Sequence, residues 1–230
     1  AADLHHPEDH PGEPDLAVSQ VWIDYTKRRP MGAVFLLLRS TLPEDAHPLS
    51  TWIHPAMSKQ NVILVGLMAV GKSTVGRLLA QQLGYTFYDT DHVIEERAGA
   101  DVAWIFDVEG ESGFRERETQ VIDELTQLDG GVIATGGGAV LEACNRKMLG
   151  TRGCVVHLDS PLDRLLERTQ KDKKRPLLQK GNPGETLSRL KMEREPLYAE
   201  VADYRFVTDR QGAKALARSI AETLEADGIV

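Results

Sequence analysis

The chain is expected to be an α/β protein of three layers, a central parallel five-stranded sheet flanked by helices. Three observations carry that expectation. From Asn61 onward, short apolar runs alternate with segments of helical periodicity. A glycine-rich loop joins the first such run to the first helix. Finally, 41% apolar residues in a chain of 230 suffice for one good core and a small appendage. Alternation of this kind implies parallel strands connected by crossover helices, and ligands in such sheets sit beyond the carboxyl ends of the strands.

The elements follow in order. "VILV" reads as a buried strand. Lys72 to Leu83 keeps Val75, Leu78, Leu79 and Leu83 on one helical face, and Gly84 ends the helix. "YTFYD" is the second strand, and "DHVIEERAG" opens a helix that closes at Gly99. A long polar helix is expected from about Gly113 to Leu128. "GVIAT" and "GCVVHLD" are strands with a helical stretch between them, and "SPLDRLLERT" is a helix started by Ser160 and Pro161. "YRFVT" is the last strand and Lys214 to Ala226 the last helix.

Residues 1–56 differ in texture. They hold five of the seven histidines and many prolines without sustained periodicity, and read as an irregular, appended or over-extended N-terminus. Met57 to Asn61 reads as a natural polar start, so the folded domain is placed at 57–230. His5, His6 and His10 have no cysteine partner and no regular spacing that would define a metal site.

A formal net charge of −8 argues against a nucleic-acid partner, which would call for a concentrated basic surface. Cys144 and Cys154 are the only cysteines, enough for neither a disulfide framework nor a four-ligand zinc site, and fit two reduced thiols in the cytosol. The longest apolar run outside the motif region, Gly32 to Leu38, falls far short of the roughly 20 residues a membrane span needs. A soluble, cytoplasmic protein is expected, without nucleic-acid or membrane partners.

Gly66 to Ser73 fits G-x-x-x-x-G-K-[ST] in full, and Thr74 follows. Gly66 and Gly71 let the backbone curl so that successive N–H groups point at phosphate oxygens, and the following helix N-terminus adds its partial positive charge. Lys72 is placed to reach the outer phosphates and Ser73 to offer a hydroxyl to Mg²⁺. Asp89 and Asp91 are expected to share one strand face at the mouth of the sheet, one toward the metal, the other toward a hydroxyl to be activated; the competing reading has Asp91 cap a helix beginning at His92. Gly136, Gly137 and Gly138 directly after a strand suggest close approach of backbone to a ligand. The basic stretch Arg168 to Gly184 suggests a flap able to bring cations over transferring phosphates, in competition with a plain solvated loop.

Taken in order, "GLMAVGKST", "DTD", "FRERE", "GGG", "RPLL" and "REPLY" resemble shikimate kinase, in the nucleoside-monophosphate-kinase-like P-loop group; the resemblance spans Asn61 to the C-terminus and none of residues 1–56. It implies a P-loop kinase fold with substrate-binding segments and a lid at about 168–184. It also implies ATP- and Mg²⁺-dependent phosphorylation of the 3-hydroxyl of shikimate by a monomer. In this family pattern Ala69, Val70, Gly71, Lys72, Ser73 and Thr74 would hold ATP, with Ser73 and Asp89 serving the metal. Asp91 would bind the ring hydroxyls and act as base. Arg115 and Arg194 would grip the substrate carboxylate, a task suited to the two parallel donors of a guanidinium. Gly137 and Gly138 would contact the substrate through backbone, Arg175 would lie near the transferring phosphate, Arg168 against adenine, and Gln211 would close the adenine pocket. Lys72, Asp91 and Arg175 would carry the catalysis.

One departure stands out. The family often has glycine where Ala69 stands, so a backbone conformation tolerant of a Cβ is expected there. Two rivals stay open: another small-molecule kinase of the same fold, such as a gluconate kinase, and a nucleotide-binding regulatory module without transfer activity.

Overall fold

The computed structural model describes residues 60–169, 182–208 and 212–230. Five strands, β1 (Asn61–Val65), β2 (Thr86–Asp89), β3 (Gly131–Ala134), β4 (Gly153–Asp159) and β5 (Tyr204–Val207), form one sheet in the order β2-β3-β1-β4-β5. Every pairing is parallel, as expected. Helices α1 (Lys72–Leu83), α2 (Thr90–Ala98), α3 (Val102–Leu125), α4 (Ala143–Arg152), α5 (Leu162–Thr169), α6 (Pro183–Val201) and α7 (Ala213–Ala226) cover it.

The pleat divides the core. Val62, Leu64, Val156 and Phe206 point to one face, against Val75 and Leu79 of α1, Leu165 of α5 and Ile220 and Leu224 of α7. Ile63, Val65, Ile133 and Val155 point to the other, against Ile94 of α2, Phe114 and Ile122 of α3 and Leu149 of α4. β1 is completely enclosed, which is why its sequence is a continuous apolar run rather than an alternating one. Its first residue, Asn61, is buried yet satisfied: its Oδ1 accepts from Gly131 N at 2.8 Å and its Nδ2 donates to the carbonyls of Thr126 and Leu128.

Two elements differ from expectation. The long helix expected from Gly113 to Leu128 begins earlier, at Val102, and ends at Leu125. Asp101 caps it by accepting from Trp104 N at 2.8 Å, and Gly110 (φ 72°, ψ −179°) breaks it into two helical segments. Helix α6 has no counterpart in the sequence reading, which ends a flap at Gly184. Asn182 instead caps it, accepting from Gly184 N at 2.9 Å, with Pro183 at the first helical position. Both ends of the expected lid are therefore helical: Arg168 and Thr169 close α5, and Pro183 and Gly184 open α6. Among the described residues no helix is long and apolar enough to cross a membrane.

Candidate active site

The carboxyl ends of the strands open on a cavity of about 430 Å³ whose walls include Gly71, Lys72, Ser73, Asp89, Asp91 and Gly137. The phosphate loop forms its floor. Gly66 adopts φ 141°, and any Cβ there would collide with the carbonyl of Leu158; Gly71 adopts φ 103° as the residue before α1. Ala69 corrects the expectation made for it. Its φ is 61°, in the left-handed region, and it is the only non-glycine with positive φ among the described residues. The loop keeps the curl that glycine would give it and imposes the strain on alanine.

Lys72 is buried and turned back on the loop, its Nζ donating to the carbonyls of Gly66 at 2.7 Å and Leu67 at 2.9 Å. A cation held this way by neutral acceptors can move onto an arriving phosphate. Ser73 Oγ donates to Asp89 Oδ2 at 2.6 Å, so a hydroxyl and a carboxylate, hard oxygen donors suited to Mg²⁺, meet at the cavity wall.

Asp89 and Asp91 do not share a strand face. β2 ends at Asp89, and α2 starts at Thr90, so the chain changes from extended to helical between the two acids. Asp89 is itself the cap of α2, its Oδ1 accepting from Asp91 N at 3.2 Å, which overturns the alternative that Asp91 caps a helix from His92. Both carboxylates nevertheless line the cavity.

The triple glycine is where the chain leaves no room. A Cβ on Gly136 would lie 2.5 Å from Glu118 Oε1 and 2.7 Å from Asp91 Oδ1. One on Gly138 would lie 2.5 Å from Arg115 Nη1. The carbonyl of Gly137 accepts from Arg194 Nη1 at 3.0 Å and from the Tyr198 hydroxyl at 2.5 Å. Arg115, from α3, and Arg194, from α6, are thus brought to adjacent residues of one loop. The Nε of each is buried without a hydrogen-bond partner, an unmet donor that an anion could satisfy.

Arg115 Nη1 donates to Glu118 Oε2 at 2.6 Å. Glu118 is fully buried, and burial raises its pKa above the usual carboxylate range against the pull of Arg115. Burial also raises that of Tyr198, with the Arg194 charge opposing, so the phenol stays protonated as donor to Gly137. Beneath Tyr198 lies His157 of β4, their rings 5.0 Å apart and inclined by 27°. Arg168 Nη1 donates to the carbonyls of Val70 at 3.0 Å and Ala69 at 3.3 Å and to Thr208 Oγ1 at 3.3 Å, placing it on the glycine-rich loop before α1. Thr74 and Val70 line the same cavity. Arg175 and Gln211 lie outside the described residues. A second cluster, the imidazole of His157 with the carboxylates of Asp159 and Glu195, has ligand atoms close enough for a metal, but Asp159 already pairs with Lys191 and Arg205, both at 2.7 Å.

The family described as "SKI: Shikimate kinase" matches residues 68–225. The chain belongs to the shikimate kinase family. A shikimate kinase of Vibrio campbellii (strain ATCC BAA-1116) is 58% identical over 167 residues, covering 73% of this chain and 97% of that protein. One from Actinobacillus pleuropneumoniae serotype 5b (strain L20) is 56% identical over 167 residues, covering 73% and 96%. Among solved structures, shikimate kinase from Acinetobacter baumannii in complex with shikimate superposes with a TM-score of 0.72 at 48% identity, covering 74% of this chain and 96% of that one.

Within this shikimate kinase domain, the motif reading overlooked Glu118 and Tyr198, although both stand inside or beside quoted motifs. Glu118 is three residues after Arg115 and Tyr198 four after Arg194, the spacings that put side chains on one helical face. The helix expected over "FRERE" already puts Glu118 on the face of Arg115, and reading "REPLY" as helical does the same for Tyr198 and Arg194.

Proposed function

We propose a division of labour among these residues for the shikimate kinase reaction. As a family member the chain phosphorylates the 3-hydroxyl of shikimate to shikimate 3-phosphate, using ATP and Mg²⁺, on the route to aromatic amino acids. The loop from Ala69 to Thr74 receives the nucleotide phosphates, with Lys72 exchanging its loop carbonyls for phosphate oxygens. Ser73 and Asp89 hold the metal, which when bound neutralises charge on the transferring phosphoryl group. Arg168 flanks the base, and Arg175 and Gln211 keep the roles at the phosphate and adenine that the family pattern gives them.

The observation that carries the acceptor side is the convergence of Arg115 and Arg194 on consecutive glycines, across the loop from Asp91. Two guanidinium groups, each with a buried, unpaired Nε, suit the carboxylate of shikimate, and the backbone of Gly137 and Gly138 lies between them. Asp91, on the cavity side of Gly136, binds ring hydroxyls and accepts the proton of the attacking oxygen. Phosphoryl transfer asks mainly for alignment and charge stabilisation, which this arrangement supplies from one chain, in keeping with a monomer. Two free thiols, Cys144 and Cys154, fit a cytoplasmic setting, and residues 57–230 are read as the kinase domain.

A coupled ADP-release assay with Mg²⁺ and ATP, run with shikimate beside gluconate and quinate, tests the acceptor. The roles are tested by Asp91→Asn and Arg115→Ala. Each is expected to cut turnover to below about a tenth while leaving ATP binding nearly intact, in line with loss of a general base or a charged anchor. Turnover above that level in either variant would overturn its assignment.

A further inference from the structure

The guanidinium of Arg115 is engaged on both terminal nitrogens. Nη1 donates to Glu118 at 2.6 Å and Nη2 to Glu111 at 3.0 Å, while Nε is buried without a hydrogen-bond partner. The two carboxylates are unequal. Glu118 is fully buried, so it cannot leave without stranding a charge. The Glu111 side chain is 60% exposed and sits one residue beyond the Gly110 break. A carboxylate ligand binds a guanidinium best along one edge, through two parallel N–H donors. With Nη1 held by Glu118, the edge left for a substrate is Nε and Nη2, and Glu111 occupies its Nη2.

We propose that Glu111 is an affinity-setting residue: its carboxylate is an internal competitor that stands in for the carboxylate of shikimate on Arg115 and must swing to solvent when substrate binds. The inference rests on the assignment of Arg115 to the substrate carboxylate. Displacing Glu111 costs the ion pair it makes, and a pair with one such exposed partner is of the modest kind, so removing it gives a gain of about two- to fivefold in affinity. Because that pair is open to solvent, the gain shrinks as salt screens it.

The test is isothermal titration of shikimate into the full chain and into Glu111→Gln, at about 50 mM and about 500 mM salt. The expected result is a Kd about two- to fivefold lower for the variant at low salt, converging with wild type at high salt, with KM for ATP unchanged. An unchanged or raised Kd at low salt, or a gain that persists undiminished at high salt, would overturn the competitor role. Arg115→Ala, titrated alongside, separates the two layers of the argument. If it weakens shikimate binding by about tenfold or more while Glu111→Gln has no effect, only the role of Glu111 fails. If Arg115→Ala leaves the Kd unchanged, the carboxylate assignment fails and the proposal with it.

Discussion

Alanine at φ 61° places its Cβ against the following carbonyl, a cost of roughly 1 to 2 kcal/mol that glycine avoids, partly offset by the greater freedom glycine has when unfolded. Ala69→Gly is therefore expected to raise the free energy of unfolding by roughly 0.5 to 1 kcal/mol, read from the denaturant midpoint at unchanged slope. A lower midpoint would mean that the methyl's packing on the core outweighs the strain. Tyr198 poses a different question at the same scale. Its hydroxyl shares the Gly137 carbonyl with Arg194, so it fixes both the glycine loop and the arginine. Tyr198→Phe keeps the ring on His157 and removes one buried hydrogen bond, worth about 1 to 1.5 kcal/mol. The expected outcome is a KM for shikimate raised about five- to tenfold with KM for ATP unchanged, since the hydroxyl touches only the acceptor side. A rise in both constants would point to general loosening of the site.

Helix α3 shows how an element can be built around one exceptional residue. At Gly110 the backbone takes φ 72° and ψ −179°, a combination open essentially to glycine alone, yet a Cβ there would meet nothing within 4 Å. Gly110→Ala thus isolates backbone strain from packing, and a loss of about 1 to 3 kcal/mol in urea unfolding is expected. No measurable loss would mean the two halves of α3 can realign without the break. The same glycine explains why the start of α3 was not legible in the sequence: its helical periodicity is interrupted eight residues in, and only the half carrying Arg115 was recognised. Helix α6 carries Pro196 in its interior, where proline normally argues against a helix. It is tolerated because the carbonyl it leaves without a donor belongs to Met192, a residue 75% exposed, where water can serve. By contrast α1, its Gly84 terminus and all five strands were readable, since apolar spacing and a left-handed cap are local signals. The site divides the same way. Lys72, Ser73, Arg115 and Arg194 belong to motifs with fixed order, whereas the contact of Tyr198 with the Gly137 carbonyl, shared with Arg194, arises only where α6 approaches the glycine loop.

Across the molecule, the carboxyl ends of the strands bring together segments that are remote in sequence, and His157 sits where several of them meet. It is 2% exposed, stacked under Tyr198 of α6, and a Cβ on Gly66 would lie 3.5 Å from its Cδ2. Burial, followed among the lowering causes by the charges of Arg205, Lys191 and Lys72, pushes its pKa from 6.5 down to about 4, with Asp159 opposing. The folded chain therefore keeps this imidazole neutral where the unfolded chain protonates it. A lowered folded value means that the contribution to stability is fully present above about pH 6.5 and is lost as pH falls toward 4. The loss across that window is on the order of 3 kcal/mol at most. His157→Phe retains a flat ring against Tyr198 but cannot titrate. Measured by chemical unfolding between pH 7 and about 4.5, the variant is expected to gain on the wild type by roughly 2 kcal/mol as the pH drops, whatever their difference at neutrality. Two curves that stay parallel through the window would mean that His157 is protonated as easily in the folded chain as in the unfolded one, and that the acid sensitivity of this fold arises among its carboxylates instead.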